Sequence, residues 1–206
     1  MKYFIIPLLL ISLNSFAQDD AAKYPLPEFS KEIYYLAKPD MKLMRLEKEA
    51  SSMNTKTRAG GFGGAEMGYF IEGNKSRVRL NTGEALSFIY YTGPPRSMDP
   101  AADSTMRANG IDPSMSSFSG MDPSSLIQFY VAVPDKDKRK VLMAQGGGIG
   151  FGKSKNTAKY TYSLRQVKEG YYELLIDKTL PKGEYAFVVS GMTGDGSSLL
   201  FAFGID

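Results

Sequence analysis

The chain of 206 residues contains no Cys, no His and no Trp. Without Cys there are no disulfide bonds, so the stability of the fold must come from its core. Without Cys and His the usual zinc ligands are missing, and a Ser-His-Asp triad is excluded. The mechanisms still open to an enzyme use paired carboxylates, a Ser-Lys pair, Tyr, or a metal held by oxygen atoms. These absences favour a protein that is not an enzyme and that has no metal or cofactor.

A strong excess of charge is also missing. The 25 Lys and Arg residues against 22 Asp and Glu residues give a formal net charge of +3. A balance this close to neutral does not predict a nucleic-acid-binding protein.

The chain begins with the features of a signal peptide. Lys2 supplies a positive charge, and Tyr3 to Leu13 is an apolar run too short to cross a bilayer as a helix. Ser15 and Ala17 are the small residues that signal peptidase reads, which predicts cleavage before Gln18. We therefore expect residues 1–17 to be removed and the protein to be exported, as a periplasmic, surface-associated or secreted protein.

No later stretch is long and apolar enough to span a membrane, so we expect no integral span in the mature chain. Residues 18–30 are polar and contain proline, which predicts a flexible leader. The remaining residues, 31–206, are enough for a single domain with a sizeable core.

Short alternating runs separated by turn signals predict an all-β domain. Aromatic residues make up 12% of the chain, which favours strands over helices. With no helical pattern between the strands, the sequence predicts an antiparallel β-sandwich, Ig-like or jelly-roll-like. The predicted strands are Ala85 to Thr92, Leu126 to Val133, Lys140 to Ala144, Tyr160 to Val167, Tyr171 to Ile176, Tyr185 to Ser190 and Leu199 to Phe203, and Glu32 to Leu36 is a further short apolar run.

Two further segments before residue 85 have patterns that bear on secondary structure. Met41 to Ala50 suits a helix or a strand, and we favour the strand because ten residues after a proline are short for a helix. Gly68 to Gly73 and Ser76 to Leu80 flank Asn74-Lys75, which predicts a hairpin with its turn at that pair.

Residues 93–125 form one long insertion rich in Gly, Pro, Ser and Met. Sixteen of these 33 residues are Gly, Pro or Ser, so the segment lacks the apolar residues of a core strand. Asp-Pro recurs three times in it, and Asp followed by Pro suits a capped helical turn. Three capped surface turns are one interpretation. The other is a loop that contacts a protein partner through its apolar residues, Met98, Ile111, Met115 and Met121.

Residues 147–154 match the phosphate-loop pattern G-x-x-x-x-G-K-S through Gly147, Gly152, Lys153 and Ser154. A working phosphate loop opens a helix, whereas Tyr160, Tyr162 and Leu164 alternate as in a strand. An exported protein also meets little ATP. We therefore interpret the match as coincidental and the segment as a Gly-rich connection between strands.

Two further patterns suggest binding surfaces. Lys136, Lys138, Arg139 and Lys140 form a basic cluster, which predicts either solvated turns or attraction to anionic envelope polymers. Adjacent tyrosines in a strand face opposite sides, so one Tyr of each pair is expected outward. There it would be half-buried or would stack on a sugar ring.

The last part of the chain resembles a known ending. The segment Leu180-Pro181-Lys182-Gly183-Glu184-Tyr185-Ala186-Phe187 and the closing Phe201-Ala202-Phe203-Gly204-Ile205-Asp206 are similar to the ends of small exported β-rich proteins of Bacteroidetes-type bacteria. Gly73-Asn74-Lys75-Ser76-Arg77-Val78 extends the resemblance. The resemblance implies a compartment and a fold class but no active site. Asp103-Ser104-Thr105 also resembles an O-glycosylation acceptor of such bacteria, with Ser104 as the modified residue.

The function expected from these observations is an exported binding or structural module of the bacterial cell envelope that acts through a protein partner. The alternative is a glycan-binding module that uses surface tyrosines. An enzyme with a carboxylate pair or with a Lys153-Ser154 site is a third hypothesis.

Overall fold

The computed structural model of the chain describes residues 23–57, 65–81, 85–93, 104, 108–109, 122–146, 159–190 and 197–206. Nearly all of their regular secondary structure is β-strand, and the strands pair antiparallel with a single exception. The predicted all-β, antiparallel, sandwich-like fold is thus confirmed.

The strands in chain order are β1 (Glu32–Ala37), β2 (Lys42–Arg45), β3 (Glu47–Ser51), β4 (Asn54–Thr57), β5 (Ala65–Glu72), β6 (Arg79–Leu80), β7 (Leu86–Tyr91), β8 (Ile127–Val131), β9 (Val133–Asp135), β10 (Lys138–Gly146), β11 (Lys159–Tyr160), β12 (Ser163–Lys168), β13 (Tyr171–Ile176), β14 (Gly183–Val189) and β15 (Ser198–Ile205). One helical turn, α1 (Pro123–Leu126), precedes β8, and Asp122 caps it as the Asp-Pro pattern predicts.

The described strands form three sheets. Sheet A has the order β12-β13-β7-β1-β2, sheet B the order β11-β8-β14-β15-β3, and sheet C the order β4-β5-β10-β9. The short strand β6 pairs in parallel with the end of β15 and belongs to sheet B.

Sheet B is the middle layer, because its side chains are buried on both faces. On β14, Tyr185 and Phe187 pack into the cluster shared with sheet A, whereas Ala186 and Val188 pack into the cluster shared with sheet C. The ring of Phe187 lies 5.0 Å from the ring of Phe88 on β7, which places sheet A directly over it. The sequences of the two central strands, β14 and β15, are therefore largely unbroken apolar runs, although successive side chains point to opposite faces of the sheet.

The strand predicted for Met41 to Ala50 is present, but it is divided into β2 and β3 at the buried Leu46. β2 is the edge of sheet A, β3 the edge of sheet B, and the next strand, β4, the edge of sheet C. One continuous segment, residues 42–57, thus runs along one side of all three layers and joins them. On the opposite side β11 and β12 join the edges of sheets B and A in the same way.

The predicted hairpin around Asn74-Lys75 is wrong. β5 pairs with β10 and β4 in sheet C, whereas β6 pairs with β15 in sheet B. The reason lies at Ser76, whose side chain is buried and donates to a carboxylate of Glu47 and to the carbonyl of Ala202. These two acceptors draw the chain away from sheet C after the turn.

Residues 23–30, where we predicted a flexible leader, lie against the outer face of sheet A. The ring of Tyr24 packs edge-on at 5.8 Å from that of Tyr171, and the hydroxyl of Tyr171 donates to the carbonyl of Pro25 at 2.8 Å. This contact covers Leu36 and Ile89, which would otherwise be the free apolar face of sheet A.

The packing between sheets A and B predicts a large effect at Phe187. Replacing this fully buried ring, which stacks on Phe129 at 4.5 Å, removes contacts on both sides of the layer boundary. We expect Phe187→Ala to lower the free energy of unfolding by about 3–5 kcal/mol. The exposed Met44 provides the control, and Met44→Ala should change it by less than about 1 kcal/mol. Urea unfolding followed by tyrosine fluorescence measures both, and equal effects would contradict the layer assignment.

Candidate functional site

Most residues that the sequence singled out lie outside the described part of the chain. These are the predicted partner contacts Met98, Ile111, Met115 and Met121, and the phosphate-loop match at Gly147, Gly152, Lys153 and Ser154. The elements described on either side of that match are both strands, β10 and β11. Ser104 is described and exposed, and its modification stays a prediction.

The tyrosines do not form an exposed platform in the residues that the structure describes. Six are buried and the others are half-buried, and none reaches full exposure. The second member of each adjacent pair, such as Tyr91 beside Tyr90, packs against one of the apolar clusters. The side chains needed to stack on a sugar ring are therefore used in the core.

The predicted basic cluster is largely neutralised by ion pairs. Lys138 pairs with Glu72 at 2.8 Å, Lys140 pairs with Glu66, and Arg139 is completely buried. Sheet register explains the first pair, because Lys138 lies directly opposite Glu72 in the β10–β5 ladder. Three of the four residues of this cluster are thus committed to partners within the fold.

Arg139 lies between sheets C and B and organises a network of charges. Its Nη2 donates to Glu47 of β3 at 2.7 Å and to the carbonyl of Glu72 at 2.9 Å. Its Nε donates to the carbonyl of Gly73 at 2.9 Å, and its Nη1 lies 3.7 Å from a carboxylate oxygen of Glu184. A buried guanidinium needs such partners, since an unpaired charge in the core is strongly destabilising.

Ser76 ties the two carboxylates of this network together. Its hydroxyl donates to Glu47 at 2.7 Å, and its backbone N–H donates to Glu184 at 2.8 Å. Burial alone would raise the pKa of Glu47, but hydrogen bonds from Arg139 and Ser76 outweigh it and lower the pKa. Both carboxylates accept charge-assisted hydrogen bonds, and Glu47 is held in its ionised form.

Arg79 extends the network to the surface. Its Nη1 donates to Glu184, and its Nε lies 3.2 Å from both carboxylate oxygens of Asp206. The guanidinium lies so close to Gly204 that a β-carbon there would be 1.7 Å from Nη1. A larger residue at position 204 would displace the planar group of Arg79, which fills the space of a side chain there.

A cleft of about 450 Å³ opens beside Arg79 at this end of sheet B. We call it the end cleft, and it is lined by Asn74, Lys75, Arg79, Pro134, Lys182, Gly183, Glu184, Ile205 and Asp206. Lys75 and Lys182 are exposed, and so is Arg77, which lies between Lys75 and Arg79 in sequence. None of these three cations forms an ion pair with any residue that the structure describes.

The segments that carry the resemblance meet at the end cleft. Lys75 and Ser76 come from one of them, Lys182 to Glu184 from another, and Gly204 to Asp206 from the closing strand. The sequence did not predict this site, because the basic cluster it indicated consists of cations that are close neighbours in sequence. The signal that could have found it is the alternation Lys75, Arg77, Arg79 together with Lys182.

Two carboxylates of the network are poorly suited to act as general acids. Glu47 and Asp206 both have lowered pKa values, Glu47 for the reasons given and Asp206 chiefly through the hydrogen bond from Arg79. A general acid in glycoside hydrolysis needs the opposite shift. No group of three or more carboxylates in the described ranges is placed to hold a metal ion.

Comparison with known proteins finds no matching family model, no matching curated protein and no matching solved structure. Among the described residues, no helix has the length and apolar character needed to cross a bilayer.

The buried position of Arg139 predicts a large loss of stability on its removal. Arg139→Met leaves Glu47 and Glu184 without their shared cation, which should lower the free energy of unfolding by about 3–5 kcal/mol. Adding Glu47→Gln should recover part of this loss, because one uncompensated charge disappears. The exposed Lys56 is the control, and Lys56→Met should have an effect below about 0.5 kcal/mol. A loss below about 1 kcal/mol for Arg139→Met, measured by urea unfolding, would show that the cation is dispensable.

The lowered pKa of Glu47 predicts instability in acid. Its folded-state pKa lies below the ordinary value of 4.5, so its contribution is complete above that value and is lost as the pH falls through the folded pKa. The wild-type chain should lose stability steadily below about pH 4.5, and Glu47→Gln should lose less over the same range. Urea unfolding at a series of pH values measures the two slopes, and identical slopes would contradict the assignment.

Proposed function

We propose that the chain is an exported, non-enzymatic binding module of the bacterial cell envelope that binds a protein partner through the end cleft. The observation that carries the proposal is the presence of Lys75, Arg77 and Lys182, which form no ion pair with the described residues, beside a frame of paired charges. Export rests on the signal-peptide pattern of residues 1–17, with the periplasm or the cell surface as the destination.

The frame around the end cleft supports the proposal because it is preorganised. Glu184 stands at the start of β14, where Arg79 and the backbone of Ser76 hold it, and Arg79 in turn holds Asp206. The lining residues are thus positioned by strand ends and by charge-assisted hydrogen bonds. A partner that binds here has little ordering of the cleft to overcome.

Two alternative functions have less support. A glycan-binding module needs exposed aromatic faces, and the described tyrosines are buried or half-buried. An enzyme with a carboxylate pair would use two nearby carboxyl groups such as Glu47 and Glu184. Arginines pair with both of these, and the hydrogen bonds to Glu47 hold its pKa below its usual range.

Cross-linking in the native host tests the proposed function. The tagged chain should capture one envelope protein in stoichiometric amount, and the double variant Lys75→Glu/Lys182→Glu should lose most of it, because the reversed charges repel the partner. The matched control is Lys56→Glu/Lys159→Glu, which reverses two exposed lysines outside the end cleft and should leave capture unchanged. Mass spectrometry identifies and quantifies what is captured.

Two outcomes contradict the proposal at different levels. Absence of any stoichiometric partner would contradict the function itself. Loss of capture on deletion of residues 98–121, with full capture by the Lys75→Glu/Lys182→Glu variant, would place the contact in the insertion instead of the end cleft. In that case the predicted contacts Met98, Ile111, Met115 and Met121 would take its place.

A further inference from the structure

We infer that the end cleft recognises an acidic peptide segment in which a carboxylate side chain stands next to an apolar residue. This inference rests on the proposed function and specifies the chemistry of the partner.

The cations of the end cleft act on a common point. The pKa of Asp206 is lowered chiefly by its hydrogen bond with Arg79, and the charges of Lys182 and Lys75 add to that effect. Both ammonium groups therefore lie close enough to influence one carboxylate at the mouth of the end cleft. A carboxylate that enters from a partner meets the same two charges, since neither lysine forms an ion pair with a described residue.

Arg79 cannot serve as a third free cation. It is already shared between Glu184 and Asp206, and its guanidinium is fixed against Gly204. The end cleft thus offers two exposed ammonium groups beside a wall whose charges pair with one another. An isolated carboxylate matches two such point charges better than a group that requires bidentate arginine contacts.

The rest of the wall explains the apolar residue in the expected segment. Pro134, Gly183 and Ile205 contribute apolar side chains or none, and they lie beside the lysines in the same cleft. A volume of about 450 Å³ lies within the ordinary range for ligand pockets and accommodates only a few side chains. A single acidic residue and its apolar neighbour therefore fit the end cleft together.

The wall also argues against a densely charged polymer. Glu184 and Asp206 both line the end cleft, so successive phosphates of a polyanion would approach two carboxylates as well as the two lysines. Like charges brought together in this way oppose binding and thereby select against such ligands. A peptide avoids this conflict, since its backbone N–H groups can approach the carboxylates.

Selection from a random peptide display library tests the inference. The chain, purified after export, should enrich sequences with Asp or Glu next to Leu, Ile or Phe. Fluorescein-labelled copies of the enriched peptides should bind about tenfold more weakly to the Lys75→Gln/Lys182→Gln variant, because each exposed charge contact is worth up to about fivefold. Binding should also weaken as the salt concentration rises from about 50 mM to about 500 mM. The variant Lys56→Gln/Lys159→Gln should bind like the wild type.

Three results would overturn the inference. These are enrichment of neutral or basic peptides, equal binding by the Lys75→Gln/Lys182→Gln variant, and tighter binding of inorganic polyphosphate that depends on the same two lysines. Each leaves the proposed function separately testable, since capture of an envelope protein through Lys75 and Lys182 would still establish a partner. The absence of any captured protein would instead contradict the function.

Discussion

The packing of sheet C against sheet B is organised around one buried cation. Arg139 is fully buried between sheets B and C, where its charge would be strongly destabilising without partners. Glu47 comes from the segment that joins the sheet edges, Glu184 comes from the start of β14 in sheet B, and two carbonyls come from the end of β5. Groups from both sheets thus converge on one guanidinium, which favours this arrangement of sheets B and C over others that would leave the charge without them. Hydrophobic burial drives the association of the sheets, but it tolerates more arrangements than this network does.

Buried carboxylates paired with cations also occur in sheet A. Glu32 on β1 accepts hydrogen bonds at 2.8 Å from Arg45 on the edge strand β2 and from Lys48 on β3. Glu173 on β13 accepts one from Arg165 on the other edge strand, β12. In each case a carboxylate on an inner strand is paired with a cation from an edge. Arginine and lysine at edges also discourage pairing with another chain, so one set of residues fixes register and protects the edges.

The sequence predicts the strands well, because alternation and turn residues are local signals. It predicts the layering less well. The apolar runs of β14 and β15 arise from burial on both faces, and a run of that kind does not reveal that a third sheet covers it. The predictions of a hairpin at Asn74-Lys75 and of an exposed basic cluster near Lys138 differ from the structure for a related reason. Their outcomes depend on partners far away in sequence, such as Glu47 for Arg139 and Ala202 for Ser76. No local pattern contains that information.

The cations of the end cleft differ from those of the paired network in whether they reach a buried carboxylate. Cations that can reach a buried carboxylate are drawn into the fold, as Arg79 and Arg139 are, and they lose their capacity to bind anything else. Lys75, Arg77 and Lys182 flank those pairs in sequence but point to solvent, where burial imposes no partner. They lie in the short segments next to β5, β6 and β14, close to the residues of the paired network. Cations that form no ion pair among the described residues, placed beside charges that are already paired, are what a specific binding site requires.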